Sequence, residues 1–159
     1  MAVRTWAPKG CTPELSVPLT REHLSAVSGI TLDGRLFLQV RRQSYDSQAV
    51  IRFLRVLLRK ISGKLLILWD GSPIHRSHAI RAFLSKGAAK RIHLERLPAY
   101  APACNPDEGV WNYLKRVELA NVCCLNLDQL EHEVIKARER LRHKRAILLA
   151  CSRQAGYIV

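Results

Sequence analysis

The sequence is short of acidic residues: 13 Asp and Glu stand against 26 Lys and Arg in 159 residues, so the formal net charge is +13. The corresponding isoelectric point is about 10.2. Such a surface attracts polyanions, chiefly through phosphate contacts that are independent of base sequence and weaken with salt. Nucleic acid is therefore the predicted partner.

Long apolar runs are also missing, since none approaches the roughly 18 residues of a membrane span and no basic amphipathic helix stands apart from the core pattern. Residues 1–4 contain no apolar segment of the kind that signal peptides carry. We therefore expect no membrane partner, and we expect a cytoplasmic location.

Cysteines with paired C-x-x-C spacing are absent as well, and the five cysteines are odd in number. This usage favours reduced thiols over a disulfide framework. A zinc site built from Cys123, Cys124 and His132 is conceivable, but adjacent cysteines lack the spacing of structural zinc sites. Buried or idle thiols are the favoured interpretation.

The chain length suits one domain with a sizeable core. Apolar patterns predict the order β-β-α-β in the first half. Residues 24–32 and 35–40 form a predicted hairpin around Asp33 and Gly34, a two-residue turn in which both positions favour positive φ. A helix capped by Asp46 follows, and then Leu65–Trp69, a short apolar strand covered on both faces.

Further helices and one strand are predicted downstream. A helix begins near Ser77, a strand lies around residues 92–95, and a proline-rich loop leads to a helix starting at Pro106. Asn126 caps a long helix, and residues 146–151 lie in a terminal one. The predicted buried stripe of the helix that starts at Pro106 consists of Val110, Trp111, Leu114 and Val117. The fold class is therefore α/β, with a mixed sheet flanked by helices.

Two carboxylates stand out as metal ligands. Asp70 follows a predicted strand, and ligands of open α/β sheets bind at the carboxyl ends of strands. Hard Mg²⁺ ions prefer oxygen ligands, so Asp70 and Glu108 have suitable chemistry. Each has a structural alternative that local sequence leaves open: Asp70 caps the following turn, and Glu108 closes a capping box with Asn105.

The phrases around these acids are LLILWDGSPIH at residues 65–75 and LPAYAPACNPDEGVWNYLK at residues 97–115. Together they resemble the second and third acidic motifs of DDE transposases, specifically the mariner-like superfamily and its bacterial insertion-sequence relatives. The resemblance reaches back to residues 4–10 and forward through the last helices.

This resemblance implies a ribonuclease H-like fold in which Asp70 is the second and Glu108 the third catalytic acid. In that family the acids hold two Mg²⁺ (or Mn²⁺) ions and cut or join DNA strands. The implied partners are transposon ends and target DNA, with a homodimer as the implied assembly. The implied setting is the bacterial cytoplasm, associated with the nucleoid.

Other positions match the motifs without an assigned role, namely His75, Asn105 and Trp111. Asp107 does not occupy the family's acid position, and we expect it to favour the helix N-terminus electrostatically.

The resemblance also implies a first catalytic Asp on an opening strand, upstream of the segment that residues 4–10 match. Glu14, Asp33 and Asp46 belong to other predicted features and do not replace it. The expectation is a single, N-terminally truncated catalytic domain without its first strand, its helix-turn-helix region or a complete two-metal site. The alternative is an inactive, nonspecific DNA-binding remnant or regulatory fragment.

A basic cluster near the C-terminus is the candidate for phosphate contact. Its alternative, a solvated helix face, stays open because alternating positions circle a helix instead of forming a stripe. The cluster consists of Lys136, Arg138, Arg140, Arg142, Lys144 and Arg145.

Overall fold

The computed structural model describes residues 7–11 and 23–159, so most of the predicted lead-in lies outside the described residues. The elements are β1 (Ser25–Ile30), β2 (Leu36–Arg41), α1 (Ser47–Lys60), β3 (Leu65–Trp69), α2 (His78–Ser85), β4 (Ile92–Arg96), α3 (Pro106–Tyr113), α4 (Leu127–Arg142) and α5 (Arg145–Gln154). This order confirms the predicted mixed α/β architecture.

β1 and β2 form the predicted antiparallel hairpin, with Ile30 opposite Leu36 at its closed end. The prediction of a two-residue turn with positive φ at both positions was wrong. Gly34 has a φ of +79°, but Asp33 is not in the left-handed region. The Gly34 N–H donates to Thr31 O, so the turn holds three residues. Three-residue hairpin loops that end in a left-handed residue are the next most common class after two-residue turns.

The hairpin lies between two hydrophobic clusters. Leu36 and Leu38 on β2 pack with α3, α4 and α5 around Leu148. Val27 and Phe37, on the other face, pack against the cluster formed by α1, α2, β3 and β4. Alternation of side chains across a strand thus lets one hairpin join both halves of the core.

β3 pairs in parallel with β4, with Trp69 opposite Arg96. The expectation that β3 is covered on both faces was wrong, since Leu66 is 64% and Leu68 41% exposed. Helices cover only the face that carries Ile67. Within the described residues, each sheet has two strands and no ladder joins the sheets.

α1 forms as its pattern predicts. The Asp46 side chain accepts a 2.7 Å bond from the Ala49 N–H at the N-terminus. At the C-terminus, Arg91 donates to the carbonyl oxygens of Leu58, Ile61 and Gly63. These bonds satisfy carbonyls near the helix end and tie it to the residue before β4.

α3 departs from its predicted stripe at one position. Val110 and Leu114 are buried, but Val117 is 53% exposed. The cause is a π-helical turn over Leu114–Glu118, which widens the helix after Tyr113. The extra residue in this wider turn shifts the register of the side chains that follow, so that Val117 faces solvent and Glu118 is buried.

Among the described residues, no helix is long and apolar enough to cross a membrane.

Candidate active site

Asp70 lies directly after β3, at the carboxyl end of the strand. Its Oδ1 accepts a 2.9 Å bond from the Ser72 N–H, so the predicted turn-capping contact forms. The side chain is nevertheless 65% exposed. This cap uses only one carboxylate oxygen of Asp70. The other oxygen can therefore coordinate a cation.

His75 is the second group on the Asp70 carboxylate. Its Nε2 lies 3.0 Å from Asp70 Oδ1, and its ring stacks on Trp69 with centroids 4.3 Å apart. Burial lowers the pKa of His75 below its ordinary value, although the Asp70 carboxylate acts in the opposite direction. Among the residues that the structure describes, the buried Nδ1 has no hydrogen-bond partner. A neutral ring with its proton on Nε2 satisfies this geometry and fixes the orientation of Asp70.

Glu108 lies in the first turn of α3, and the capping box expected as its structural alternative does not form. The Asn105 side chain accepts from the Asp107 N–H at 3.1 Å. The Asn105 N–H donates to Pro102 O instead of to a glutamate. Glu108 is exposed, and its carboxylate has no hydrogen bond or ion pair with the described part of the chain. It is thus available to solvent or a ligand.

Asp107 points inward rather than to solvent. Its Oδ2 accepts from Ser28 Oγ on β1 and, at 3.1 Å, from Trp111 Nε1. Burial raises the pKa of Asp107, although these two bonds oppose the shift. This contact ties the first turn of α3 to the hairpin, so Trp111 and Asn105 both position the turn that carries Glu108. Sequence reasoning missed the partner, Ser28, because nothing local marks it.

Arg96 is a further feature of the site, and it lies outside both acidic motifs. A Cβ at Gly71 would lie 2.5 Å from Nη2 of Arg96, so the exposed guanidinium lies against the turn that follows Asp70. The parallel register places Arg96 beside Trp69. Gly71 therefore allows a cation to approach the acidic turn closely.

The carboxylates do not form a large cluster. Across residues 7–11 and 23–159, no group of three or more His, Cys, Asp or Glu side chains is arranged to hold a metal ion. Exposed carboxylates at Asp70 and Glu108 fit a hard divalent ion in kind, because Mg²⁺ uses one or two protein carboxylates and keeps several waters. These two carboxylates are too few for a site that holds two metal ions.

The C-terminal basic cluster is largely neutralised by nearby acids. Lys136 pairs with Glu133 at 3.0 Å, and Arg138 and Arg142 both pair with Glu139. The remaining members are Arg140 and Lys144, which bind Glu118, and Arg145, which donates to the Asp33 carbonyl. These contacts reduce the charge that the cluster offers to phosphate, and its DNA contact stays a prediction.

Glu118 is the buried centre of this arrangement, with a side chain only 3% exposed. Arg140 Nε and Lys144 Nζ each donate to it at 2.6 Å. Lys144 also reaches the Tyr113 hydroxyl at 3.2 Å. The ion triad joins the π-helical turn to the end of α4 and the start of α5.

Comparison with protein families gives one matching model, described as DDE superfamily endonuclease, over residues 2–131. That range includes both acidic motifs. Comparison with curated protein sequences gives no significant match.

Solved structures of Mos1 transposase share the fold. A paired-end complex with the left transposon end has a TM-score of 0.61 and 16% identity, covering 98% of this chain and 51% of that one. A Mos1 mariner paired-end complex with Mn gives 0.58 and 14%, covering 100% and 52%. The isolated Mos1 mariner catalytic domain gives 0.56 and 17%, covering 92% and 80%. The ribonuclease H-like expectation is thus confirmed, and the chain spans about half the length of the Mos1 chains in the complexes.

Proposed function

The chain belongs to the DDE superfamily endonuclease family, and from this we propose that it is the catalytic-domain portion of a DNA transposase. The observation that carries the proposal is the family match, which spans both acidic motifs. The Mos1 complexes with transposon DNA show the same fold and support DNA as the partner. The homodimer implied by the family resemblance is part of the same proposal.

Asp70 and Glu108 are the proposed second and third acids. One carboxylate ends β3 and the other opens α3, so the two come from different elements, as ligands of a catalytic divalent ion do. A bound Mg²⁺ or Mn²⁺ would supply Lewis-acid activation of the phosphodiester and of the attacking hydroxyl. Manganese is present in one of the Mos1 complexes of this fold.

His75 is proposed to orient Asp70. The ring is held by its stack on Trp69 and occupies Oδ1 together with the Ser72 N–H. Oδ2 of Asp70 is thereby left for a ligand. Residues that hold a metal-binding group in one orientation commonly change metal affinity when they are replaced. Arg96, against Gly71, adds positive charge where a DNA phosphate would approach.

The described residues supply two of the three carboxylates that the family resemblance implies. The absence of a larger acidic cluster in that part of the chain favours a second candidate function, a regulatory or remnant protein that binds DNA without cutting it. We propose that this chain alone lacks a complete two-metal site. The two candidates share DNA binding and differ in chemistry.

Both candidates predict weak, salt-sensitive binding to DNA of any sequence. We expect affinity for random duplex DNA to fall at least about tenfold between about 50 and 200 mM salt, because phosphate contacts release counterions. Fluorescence anisotropy with several unrelated duplexes measures this. Salt-independent binding, or strong preference for one duplex, would contradict the proposal.

A further inference from the structure

The outer face of α1 carries three arginines that the acidic motifs do not use. Arg52, Arg55 and Arg59 are exposed, and their spacing of three and four residues places them on one side of the helix. The stripe is about 10 Å long at 1.5 Å rise per residue. One DNA strand carries one phosphate per about 3.4 Å of duplex axis, so the regularly spaced arginines are suited to a regularly spaced row of negative charges.

These arginines line an open groove of about 810 Å³ between α1 and β2, which we call the arginine groove. Arg41 and Tyr45 contribute from the β2 side, with the Arg41 guanidinium 5.5 Å from the Tyr45 ring centroid.

The charge of the stripe is not neutralised within the described part of the chain. Arg52, Arg55 and Arg59 form no salt bridge there, in contrast to the paired bases of α4. Asp46, which caps α1, lies 3.9 Å from Arg41 and also attracts Arg52 electrostatically. Four guanidinium groups therefore face one carboxylate that is already engaged.

Packing below the stripe holds it in place. The Arg55 guanidinium lies 5.6 Å from the Phe83 ring centroid on α2, and the opposite face of α1 is buried through Phe53, Leu54 and Leu57. A rigid helix therefore presents the arginines at fixed spacing, which lowers the entropy cost of ordering them on a regular polyanion.

We propose that the arginine groove binds the phosphate backbone of duplex DNA, through residues distinct from Asp70 and Glu108. The inference rests on the proposed function and deepens it by naming the surface that holds DNA. Guanidinium groups suit this role because their planar donors match phosphate oxygens. The contacts read no bases, so they supply affinity without sequence preference.

The test compares two double variants with the same reduction in charge. Arg52→Gln with Arg59→Gln removes two arginines that form no salt bridge within the described residues, and Arg35→Gln with Arg42→Gln removes two arginines that are already paired with acids. Each lowers the formal charge from +13 to +11. Anisotropy titrations of the full chain with random duplex DNA give the slope of log affinity against log salt, and thermal melting confirms that each variant is folded.

The groove variant is expected to flatten the slope by about 1.8, at about 0.9 for each phosphate that is no longer neutralised, while the control changes it far less. An equal flattening of the salt slope in both variants would contradict DNA binding by the arginine groove, but not DNA binding by the chain as a whole. No DNA binding by the wild-type chain would overturn the proposed function as well. Tighter binding to phosphatidylserine vesicles than to DNA, dependent on Arg52 and Arg59, would assign the groove to a membrane and also overturn the proposal.

Discussion

Strand transfer by this chain alone is expected to lie at least about 10³-fold below that of a complete transposase. On the proposal that the chain carries only two of the three carboxylates, a two-metal site cannot hold both ions, and each ion contributes several kcal/mol of transition-state stabilisation. About 4 kcal/mol corresponds to that factor in rate.

The measurement is Mg²⁺-dependent or Mn²⁺-dependent joining of a labelled 3′-hydroxyl oligonucleotide to plasmid DNA, with Mos1 transposase on its own transposon end as the active reference. Asp70→Asn and Glu108→Gln should leave the background rate of strand joining by this chain unchanged. Robust joining that Glu108→Gln abolishes would contradict this prediction, because the first acid would then have to lie within the chain.

Replacing Glu118 with Gln is expected to lower the free energy of unfolding by about 2 kcal/mol at neutral pH. The change removes the charge that both Arg140 and Lys144 bind at 2.6 Å. Hydrogen bonds to charged groups contribute about 1.5–3 kcal/mol, and this carboxylate is almost fully buried. Glu133→Gln is the matched control, because its exposed pair with Lys136 contributes less than about 1 kcal/mol.

The contribution of Glu118 to the free energy of unfolding should depend on pH. Burial raises the pKa of Glu118, but the bonds from Lys144 and Arg140 outweigh it and hold the pKa below its ordinary value of 4.5. A carboxyl group whose pKa is lower in the folded state stabilises the fold at pH values above its pKa in the unfolded state. That stabilisation is lost as the pH falls through its pKa in the folded state. Urea unfolding of wild type and Glu118→Gln should therefore converge in acid. A difference that stays constant with pH, or equals that of the control, would show that the triad is not stabilising.

Features set by neighbouring residues could be predicted from the sequence. The Asp46 cap and the Asn126 cap both form as expected, because each depends on residues within one helical turn. The π-helical turn could not be predicted, since Glu118 enters the interior only because Arg140 and Lys144 arrive from 22 and 26 residues downstream.

The candidate active site likewise combines features set by neighbouring residues with features set by distant ones. His75 matches a motif position five residues after Asp70, but its role as a partner of the Asp70 carboxylate is visible only in the structure. The burial of Asp107 depends on Ser28, 79 residues away on β1, and the pairing of the basic cluster depends on acids from several elements. Charge counting along the sequence therefore favoured the cluster on α4 and α5, whereas the arginine groove lies beside α1.

Whether Asp70 and Glu108 form one metal site can be measured by paramagnetic broadening of backbone amide resonances with substoichiometric Mn²⁺. We expect the amides of residues 69–72 and 107–110 to broaden together, and either Asp70→Asn or Glu108→Gln to suppress both effects. Broadening of only one segment, or of neither, would contradict a shared site.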